Sequence, residues 1–597
     1  MNNHTRCAFL LIGTLLCHRP LPASAEPASA EPASAEPAAA GHADSPGFDL
    51  IIANGRVIDG SGSPWYSADI GIRDGRIAAI GKLGGRNTQR RIDAGGRIVA
   101  PGFIDMLGQS EYTILVDPRV PSKIHQGITT EITGEGNSVA PMIGAARIWA
   151  QAKLEHYRIN ADWQTLGEYF ARLERQGIGI NFSSFVGATS VRQAVIGNDD
   201  RPPTPDELKR MQALVREAME DGARGVSTAL EYSPAPYAST GELIALASEA
   251  ARYGGIYATH MRAEGDAIDV ALDETFRIGR EAHIPVEIWH LKVAGKANWG
   301  RMPEIVKRID DARTAGVDVA ADTYAYTAWF NRMSAFVPPW AHDGGTAKMI
   351  DRLKDPSTRA RIRKDMMMPS ETWDNEWNEI SGPESVLIGV VKDPKLLALQ
   401  GKTIAAIAAE RAKDPLDVVL DILIEDGGFT YCAVFGMRED DVTMALVQPW
   451  TSLDNDSEGT SPEGLLGTEH PHPRAYGTFP RILRKYVREE HKLTLEEAIR
   501  KFTALPASRM RIGDRGLLKI GLWADIAVFD PNRIADRSTF AVPNQLATGM
   551  QWVLVNGVPV IDDGKMTGSR PGRILRGPGF RPKSAPVEFR KSIKHRE

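Results

Sequence analysis

Two histidines and a glutamate stand directly after short apolar runs of this sequence. GIYATH ends in His260, IPVEIWH ends in His290, and GITTEITG is followed by Glu135. Two imidazoles and a carboxylate form a set that can bind a divalent metal ion and leave positions open for water and substrate. On position alone, each histidine could instead be a hydrogen-bonded structural residue, and Glu135 a solvated loop carboxylate. The pattern predicts metal-dependent chemistry at these three residues.

An acidic triplet follows a further apolar run, PWTSL. It reads Asp454-Asn455-Asp456. A carboxylate beside a metal ion can take a proton from water and pass it to a leaving group. Both aspartates could also be turn formers beside Asn455. We expect one of them to carry the proton, and position alone does not choose between them.

These residues require a scaffold that brings several strand ends together. Short apolar runs alternate with longer amphipathic stretches, which is typical of βα units and a parallel sheet. Eight candidate strands lie at 98–106, 128–133, 179–186, 224–230, 255–260, 285–290, 317–322 and 447–453. We therefore predict an α/β fold with a (β/α)8 barrel over 98–515, whose chemistry lies at the C-terminal ends of the strands. The stretch 335–445 is too long for one connection and predicts an insertion before the last strand.

The two ends of the chain share a different pattern. Residues 48–60 and 551–562 both contain an Asn-Gly turn between β-rich runs, a strong hairpin signal. We expect residues 48–97 and 516–580 to meet in one small β-sandwich, followed by a tail over 581–597.

The N-terminus has the features of an export signal. Arg6 precedes the apolar run Cys7 to Cys17, and Ala23-Ser24-Ala25 provides a cleavage site. The run is too short for a stable membrane span. We predict a signal peptide over 1–25, a flexible Ala/Pro/Glu-rich linker over 26–47 and a periplasmic or secreted protein, in which Cys432 is the only remaining cysteine.

Composition excludes some classes of partner. The chain has 597 residues, 25% of them charged, and a formal net charge of -5. The chain has no excess of basic residues, so its composition does not point to a nucleic-acid partner. A small-molecule substrate is expected, and a homo-oligomer is compatible with the sequence.

Three long motifs carry a family resemblance. The segments YATHMRAEGD, WHLKVAGKANWGR and PRAYGTFPRIL resemble those of the N-acyl-D-amino-acid deacylases (D-aminoacylases) of the amidohydrolase superfamily. The resemblance runs from about residue 48 to 580. It implies metal-dependent hydrolysis of an amide bond, such as deacylation of an N-acyl-D-amino acid.

The resemblance also implies roles for individual residues. The family's metal histidines match His260 and His290, and its catalytic aspartate matches Asp456, with Asp454 as the fallback. Positions that hold the substrate carboxylate match Lys292 and Arg474. A tyrosine of the substrate pocket matches Tyr324.

The sequence departs from the family at two places around the metal. The superfamily usually has Asp-x-His-x-His after the first strand, and Leu107 and Gln109 replace both histidines here. The deacylases carry a metal-binding cysteine where this chain has Glu135, which is still a competent oxygen ligand. We therefore expect one divalent metal ion per chain, with zinc as the default and manganese or iron as alternatives.

Two alternatives to simple deacylation stay open. Trp329 and Phe330 stand where related deacylases carry small polar residues, so the pocket could accept a bulkier or more apolar group. The nearest alternative activity is therefore that of a dipeptidase, or of a cyclic amide or carbamate hydrolase, on the same barrel. A catalytically inactive periplasmic binding protein is the third interpretation, although a binder would not need Asp456.

Overall fold

The computed structural model describes residues 47–370 and 372–582. The predicted signal peptide, the linker up to residue 46 and the tail from residue 583 lie outside the described residues. Within the described ranges, no helix is long and apolar enough to cross a membrane.

A barrel of eight parallel strands forms the centre of the fold. Its strands are Phe103–Asp105, Ile128–Thr133, Asn181–Ser184 continued by Val186–Gly187, Gly225–Ala229, Ile256–His260, Val286–Ile288, Val319–Thr323 and Thr451–Leu453. The backbone amide of Met106 donates to the carbonyl of Leu453 (3.3 Å), which joins the first strand to the last. The predicted (β/α)8 fold is confirmed.

Helices follow the barrel strands, and several more belong to the insertion. They are Thr113–Val116, Pro121–Ile124, Gly144–His156, Leu166–Gln176, Ala188–Val195, Pro205–Asp221, Thr240–Ala251, Ile268–Ala282, Met302–Thr314, Thr346–Lys354, Pro356–Met366, Glu376–Glu379, Ile404–Arg411, Pro415–Glu425, Glu439–Val447, Arg474–Arg481, Leu495–Phe502 and Ala504–Arg509. Local sequence explains several of their ends. Thr204 and Glu207 form a capping box at the start of Pro205–Asp221, and Gly222 ends that helix in the left-handed conformation.

Both chain ends build one sheet of nine strands. Its members are Phe48–Val57, Tyr66–Arg73, Arg76–Gly81, Thr88–Asp93, Ile98–Pro101, Ile526–Phe529, Met550–Val555, Val558–Asp562 and Lys565–Met566. Ile526 lies opposite Pro101 and Phe529 opposite Ile98 in an antiparallel pair, so the C-terminal segment adds directly to the N-terminal one. The prediction that the two ends meet in one β-domain is confirmed.

The single strand predicted over 98–106 is wrong. It is two strands, with Ile98–Pro101 in the terminal sheet and Phe103–Asp105 in the barrel. Gly102 lies between them, and a side chain there would clash with Thr129. The Pro101-Gly102 pair therefore marks the passage from one sheet to the other.

The insertion before the last barrel strand has its own small sheet and apolar core. Its antiparallel strands are Trp329–Arg332, Val386–Ile388 and Tyr431–Val434, with the last in the middle. This sheet begins at Trp329, ahead of the predicted start at 335. Cys432 is a buried free thiol in the central strand and belongs to this apolar core.

Candidate metal centre and substrate cavity

His260, His290 and Glu135 meet at the C-terminal mouth of the barrel. His260 ends the strand Ile256–His260, while Glu135 and His290 follow the strands Ile128–Thr133 and Val286–Ile288. The Oε1 atom of Glu135 is 3.1 Å from Nδ1 of His260 and 3.2 Å from Nε2 of His290. Two ring nitrogens and one carboxylate oxygen thus converge on one point.

The backbone holds His290 and Asp456 in strained conformations. Both are left-handed, with φ of 38° and 42°. The amide of His290 donates to Oδ1 of Asp322 (2.5 Å), and the amide of Asp456 donates to the carbonyl of Leu107 (2.9 Å). Such strain costs about 1 to 3 kcal/mol per residue and is commonly found at functional sites.

The electrostatics of the three donors favour a bound cation. Burial lowers the pKa of His260, but Glu264, Glu135 and Glu231 outweigh burial and raise it well above its ordinary value. Burial raises the pKa of Glu135, but His260 and His290 hold it well below its ordinary range. The three donor atoms lie within 4.8 Å of one another, both histidines are buried, and the carboxylates around them favour positive charge, so the set fits a divalent metal ion.

A second group of possible donors, Glu231, His260 and Glu264, shares His260 with the first. Both carboxylate oxygens of Glu264 lie against Nζ of Lys292, at 2.8 and 2.7 Å. Because Lys292 already neutralises Glu264, this group fits a metal ion less well. Glu231 instead contacts Nε2 of His260 at 2.8 Å, on the ring edge opposite Glu135.

Gln109 connects the predicted metal ligands to the predicted proton carrier. Its Nε2 atom donates to Oε2 of Glu135 and to Oδ1 of Asp456, both at 2.8 Å. Leu107, the other residue in place of a superfamily histidine, is completely buried in the apolar core. Neither replaced position presents an imidazole to the site.

Asp456 lines the cavity, and Asp454 lies behind it. Oδ2 of Asp456 is 2.7 Å from Nη1 of Arg474. Asp454 is completely buried, and burial, reinforced by the charges of Asp456 and Asp105, raises its pKa to about 8. A group that lines the cavity is better placed to exchange protons with a substrate than one behind it.

The three predicted substrate residues lie together but in contact with protein groups. Lys292 lines the cavity, and its Nζ atom lies 2.7 Å from Nδ1 of His290. Tyr324 is buried, with the guanidinium of Arg474 4.6 Å from its ring centre. Arg474 and Tyr324 therefore stand behind the cavity wall in this structure.

One cavity of about 650 Å³ joins the metal centre to the insertion. This volume is in the range of small-molecule pockets. Trp329 and Phe330 both line it, as expected if they shape the substrate pocket. Nε1 of Trp329 donates to Oε2 of Glu376 (2.7 Å), and burial, together with the charge of Glu231, raises the pKa of Glu376 well above its ordinary value.

Comparison with known proteins identifies the family. The amidohydrolase family model matches residues 389–561, and the model for the N-terminal domain of the urease alpha-subunit matches residues 34–102. A D-aminoacylase from Alcaligenes xylosoxydans xylosoxydans is 37% identical over 537 residues, which cover 89% of this chain and 98% of that protein. The chain belongs to the N-acyl-D-amino-acid deacylase family of amidohydrolases.

Two solved structures of the deacylase family share this fold. A D-aminoacylase crystal structure is 36% identical, with a TM-score of 0.74 over 89% of this chain and all of that chain. The N-acyl-D-glutamate deacylase of Bordetella bronchiseptica, solved with zinc and a phosphonate mimic of the tetrahedral intermediate, is 32% identical, with the same TM-score and the same coverage. The predicted family and its amidohydrolase activity on C–N bonds are confirmed, and a divalent metal cofactor is supported.

Two residues of the centre escaped sequence reasoning. Glu231 stands two residues after the strand Gly225–Ala229, and Glu264 stands four residues after His260. The rule that selected the histidines, a polar residue just beyond a barrel strand, also applies to Glu231. Glu264 lies inside the motif YATHMRAEGD, from which only His260 is predicted as a site residue.

Proposed function

We propose that this deacylase hydrolyses the amide bond of a small N-acyl amino acid of D configuration, as its relatives do. One observation carries this proposal. His260 and His290 converge on Glu135, and Gln109 links Glu135 to Asp456 by two hydrogen bonds. The resemblance of the metal motifs to those of the deacylases supports it.

We further propose one zinc ion per chain, held by His260, His290 and Glu135. When bound, the ion supplies Lewis acidity, which polarises a carbonyl oxygen and lowers the pKa of water. Nitrogen and carboxylate donors suit zinc, with manganese or iron as alternatives. The Gln109 side chain turns its amide nitrogen towards both carboxylates, and an amide nitrogen is a hydrogen-bond donor without a lone pair to offer a second ion.

In the proposed mechanism, Asp456 carries the proton. It accepts a proton from the attacking water and delivers it to the leaving nitrogen, because a neutral amine leaves far more easily than an amide anion. The Gln109 amide and the Arg474 guanidinium each hold one oxygen of Asp456 and so fix the direction in which the carboxylate faces.

The roles of Lys292, Arg474 and Tyr324 in holding the substrate carboxylate stay a prediction. Each cation contacts a protein carboxylate here, Lys292 with Glu264 and Arg474 with Asp456. A substrate carboxylate would have to share these cations with their present partners.

A dipeptidase activity is the second candidate. Trp329 and Phe330 line a cavity of about 650 Å³, which suits a larger and more apolar substrate than an N-acetyl amino acid with a small side chain. Export to the periplasm or beyond is also part of our proposal, and it rests on the signal-like sequence up to Ala25.

The decisive experiment combines metal analysis with a substrate screen. Purified protein should contain stoichiometric divalent metal, and His260→Ala should lose it. N-acyl-D-amino acids, N-acyl-L-amino acids and dipeptides should then be compared as substrates, with Asp456→Asn as the inactive control. Absence of metal, with no turnover after divalent ions are added, would overturn the proposal. Turnover that survives in Asp456→Asn would remove Asp456 as the proton carrier.

A further inference from the structure

One wall of the cavity combines aromatic rings with two cations. We call it the aromatic–cationic wall, and its members are Tyr112, Trp149, Lys153, Arg332, Phe429 and Tyr431. Barrel segments supply the first three and the insertion supplies the last three. None of them belongs to the metal centre described above.

Arg332 lies at the middle of this wall, between aromatic rings. Its guanidinium carbon is 4.9 Å from the ring centre of Trp149, 5.5 Å from that of Tyr431 and 5.8 Å from that of Phe429. Its Nε atom donates to the hydroxyl of Tyr431 (3.1 Å). These contacts fix the plane of the guanidinium.

Arg332 has no anionic partner among the described residues. Its Nη2 atom is buried without a hydrogen bond, and no carboxylate of residues 47–370 or 372–582 forms an ion pair with it. Lys153 and Lys292, which also line the cavity, differ from Arg332: Lys153 pairs with Glu458 (2.9 Å) and Lys292 pairs with Glu264. A partly desolvated cation without a partner is costly, and a ligand anion would remove that cost.

The potential at the wall also favours an anion. Burial raises the pKa of Tyr431, but Arg332 and Lys153 outweigh it and bring that pKa below its ordinary value. Positive charge on Arg332 and Lys153 therefore stabilises the ionised form of the Tyr431 hydroxyl, and the carboxylate of a ligand would feel the same field.

The wall is displaced from the metal centre along one strand. Trp329–Arg332 is extended, so Arg332 lies roughly 10 Å along it from Trp329. Trp329 reaches Glu376, which in turn contacts Glu231 beside His260. A group bound at Arg332 is thus remote from the reacting amide.

We propose that Arg332 binds a carboxylate that the substrate carries at a distance from its scissile amide, while Trp149 and Tyr431 pack against the carbon chain that bears this carboxylate. This inference rests on the proposed function, because it names the substrate class of the same cavity. A planar guanidinium held between aromatic faces is suited to bidentate recognition of a carboxylate.

The test compares isosteric ligands that differ by one charge. In the metal-loaded Asp456→Asn protein, calorimetry would compare the binding affinities of two ligand pairs. The first pair is N-acetyl-D-glutamate and N-acetyl-D-glutamine, and the second is N-succinyl-D-alanine and its neutral succinamoyl analogue. We expect at least one acidic ligand to bind about 10- to 100-fold more tightly than its neutral partner. The pair that discriminates shows whether the amino-acid side or the acyl side bears the carboxylate.

Arginine variants separate this site from general charge attraction. Arg332→Met should reduce the discrimination to about twofold, and Arg332→Lys should retain part of it because the charge remains without the planar fork. Lys354→Met is the matched control, since Lys354 is an exposed cation on the same cavity and should leave discrimination unchanged.

Two outcomes would overturn the inference. The first is that the protein with Arg332 binds the acidic and the neutral ligand of each pair equally well. The second is that the preference for the acidic ligand survives in Arg332→Met. Binding is measured without turnover, so its result is independent of the proposed hydrolysis. If the wild-type protein cleaved no amide while the charge discrimination still depended on Arg332, the anion site would stand and the proposed function would be refuted.

Discussion

The Nε2 atom of His260 lies 2.8 Å from Oε2 of Glu231, while Nδ1 of the same ring faces Glu135 at 3.1 Å. A carboxylate on the far side of a metal-binding imidazole draws the proton to the nitrogen nearest to it and leaves the other lone pair free for the metal. Glu231 therefore selects the tautomer in which Nε2 of His260 carries the proton and Nδ1 is the metal ligand. This relationship assigns Glu231 a positioning role.

Removal of Glu231 should weaken metal binding. Glu231→Ala leaves the ring of His260 without its partner, and losses of this kind cost about 10- to 100-fold in metal affinity. Glu231→Gln should retain most of the affinity, because its amide oxygen can still accept the proton of Nε2. Competition with a chelator measures both values, and wild-type affinity in Glu231→Ala would show that Glu231 does not position the ring.

The ligand at position 135 should tolerate exchange for the residue that the resemblance implies in the deacylases. Glu135→Cys supplies a thiolate at the same point between His260 and His290, so stoichiometric metal should be retained. Glu135→Ala removes the donor and should lose most of the metal, as elemental analysis of the purified proteins would reveal. If the alanine variant kept full metal content, Glu135 would not be a ligand.

The sequence was sufficient for the parts of the site that follow strand by strand. His260 and His290 are recognisable because a histidine ends each of two successive apolar runs, and parallel strands in a barrel end at one mouth. The same logic covers the barrel itself and the β-domain made from both chain ends. Glu231 obeys the rule as well, so it was within reach of sequence reasoning.

Contacts between distant segments could not be read from the sequence. Gln109 reaches Asp456 across 347 positions, and Arg474 reaches the same carboxylate from the opposite side. Nor does local sequence reveal that Arg332 lacks a carboxylate partner, because this depends on how the insertion packs against the helix Gly144–His156. Such pairings are properties of the folded chain.

The bridge made by Gln109 should matter for turnover more than for metal binding. Gln109→Leu removes two hydrogen bonds to charged acceptors, each worth about 1.5 to 3 kcal/mol. Asp456 would then be held by Arg474 alone, and kcat should fall about 10- to 100-fold with metal content unchanged. Steady-state kinetics with parallel metal analysis test this, and an unaltered kcat would exclude Gln109 as a positioning residue.

His342 should make the protein less stable in acid. Its Nε2 atom donates to the carbonyls of Ser334 (3.1 Å) and Val337 (3.2 Å), and burial lowers its pKa to about 4 from the ordinary 6.5. Between pH 6.5 and 4 the unfolded chain takes up a proton that the folded chain does not, so the free energy of unfolding falls as pH decreases through this window. Below pH 4 the loss is complete.

The size of this acid effect can be bounded and checked with a matched pair of variants. One pKa unit corresponds to about 1.4 kcal/mol, and since His342 is only half-buried we expect a loss of about 1 to 2 kcal/mol. His342→Gln keeps a donor for the same carbonyls but does not titrate, so its denaturant midpoint should decrease less than that of wild type between pH 7 and pH 4. His491→Gln, at an exposed position, should follow wild type. An equally steep decrease in His342→Gln would mean that other groups cause the acid sensitivity.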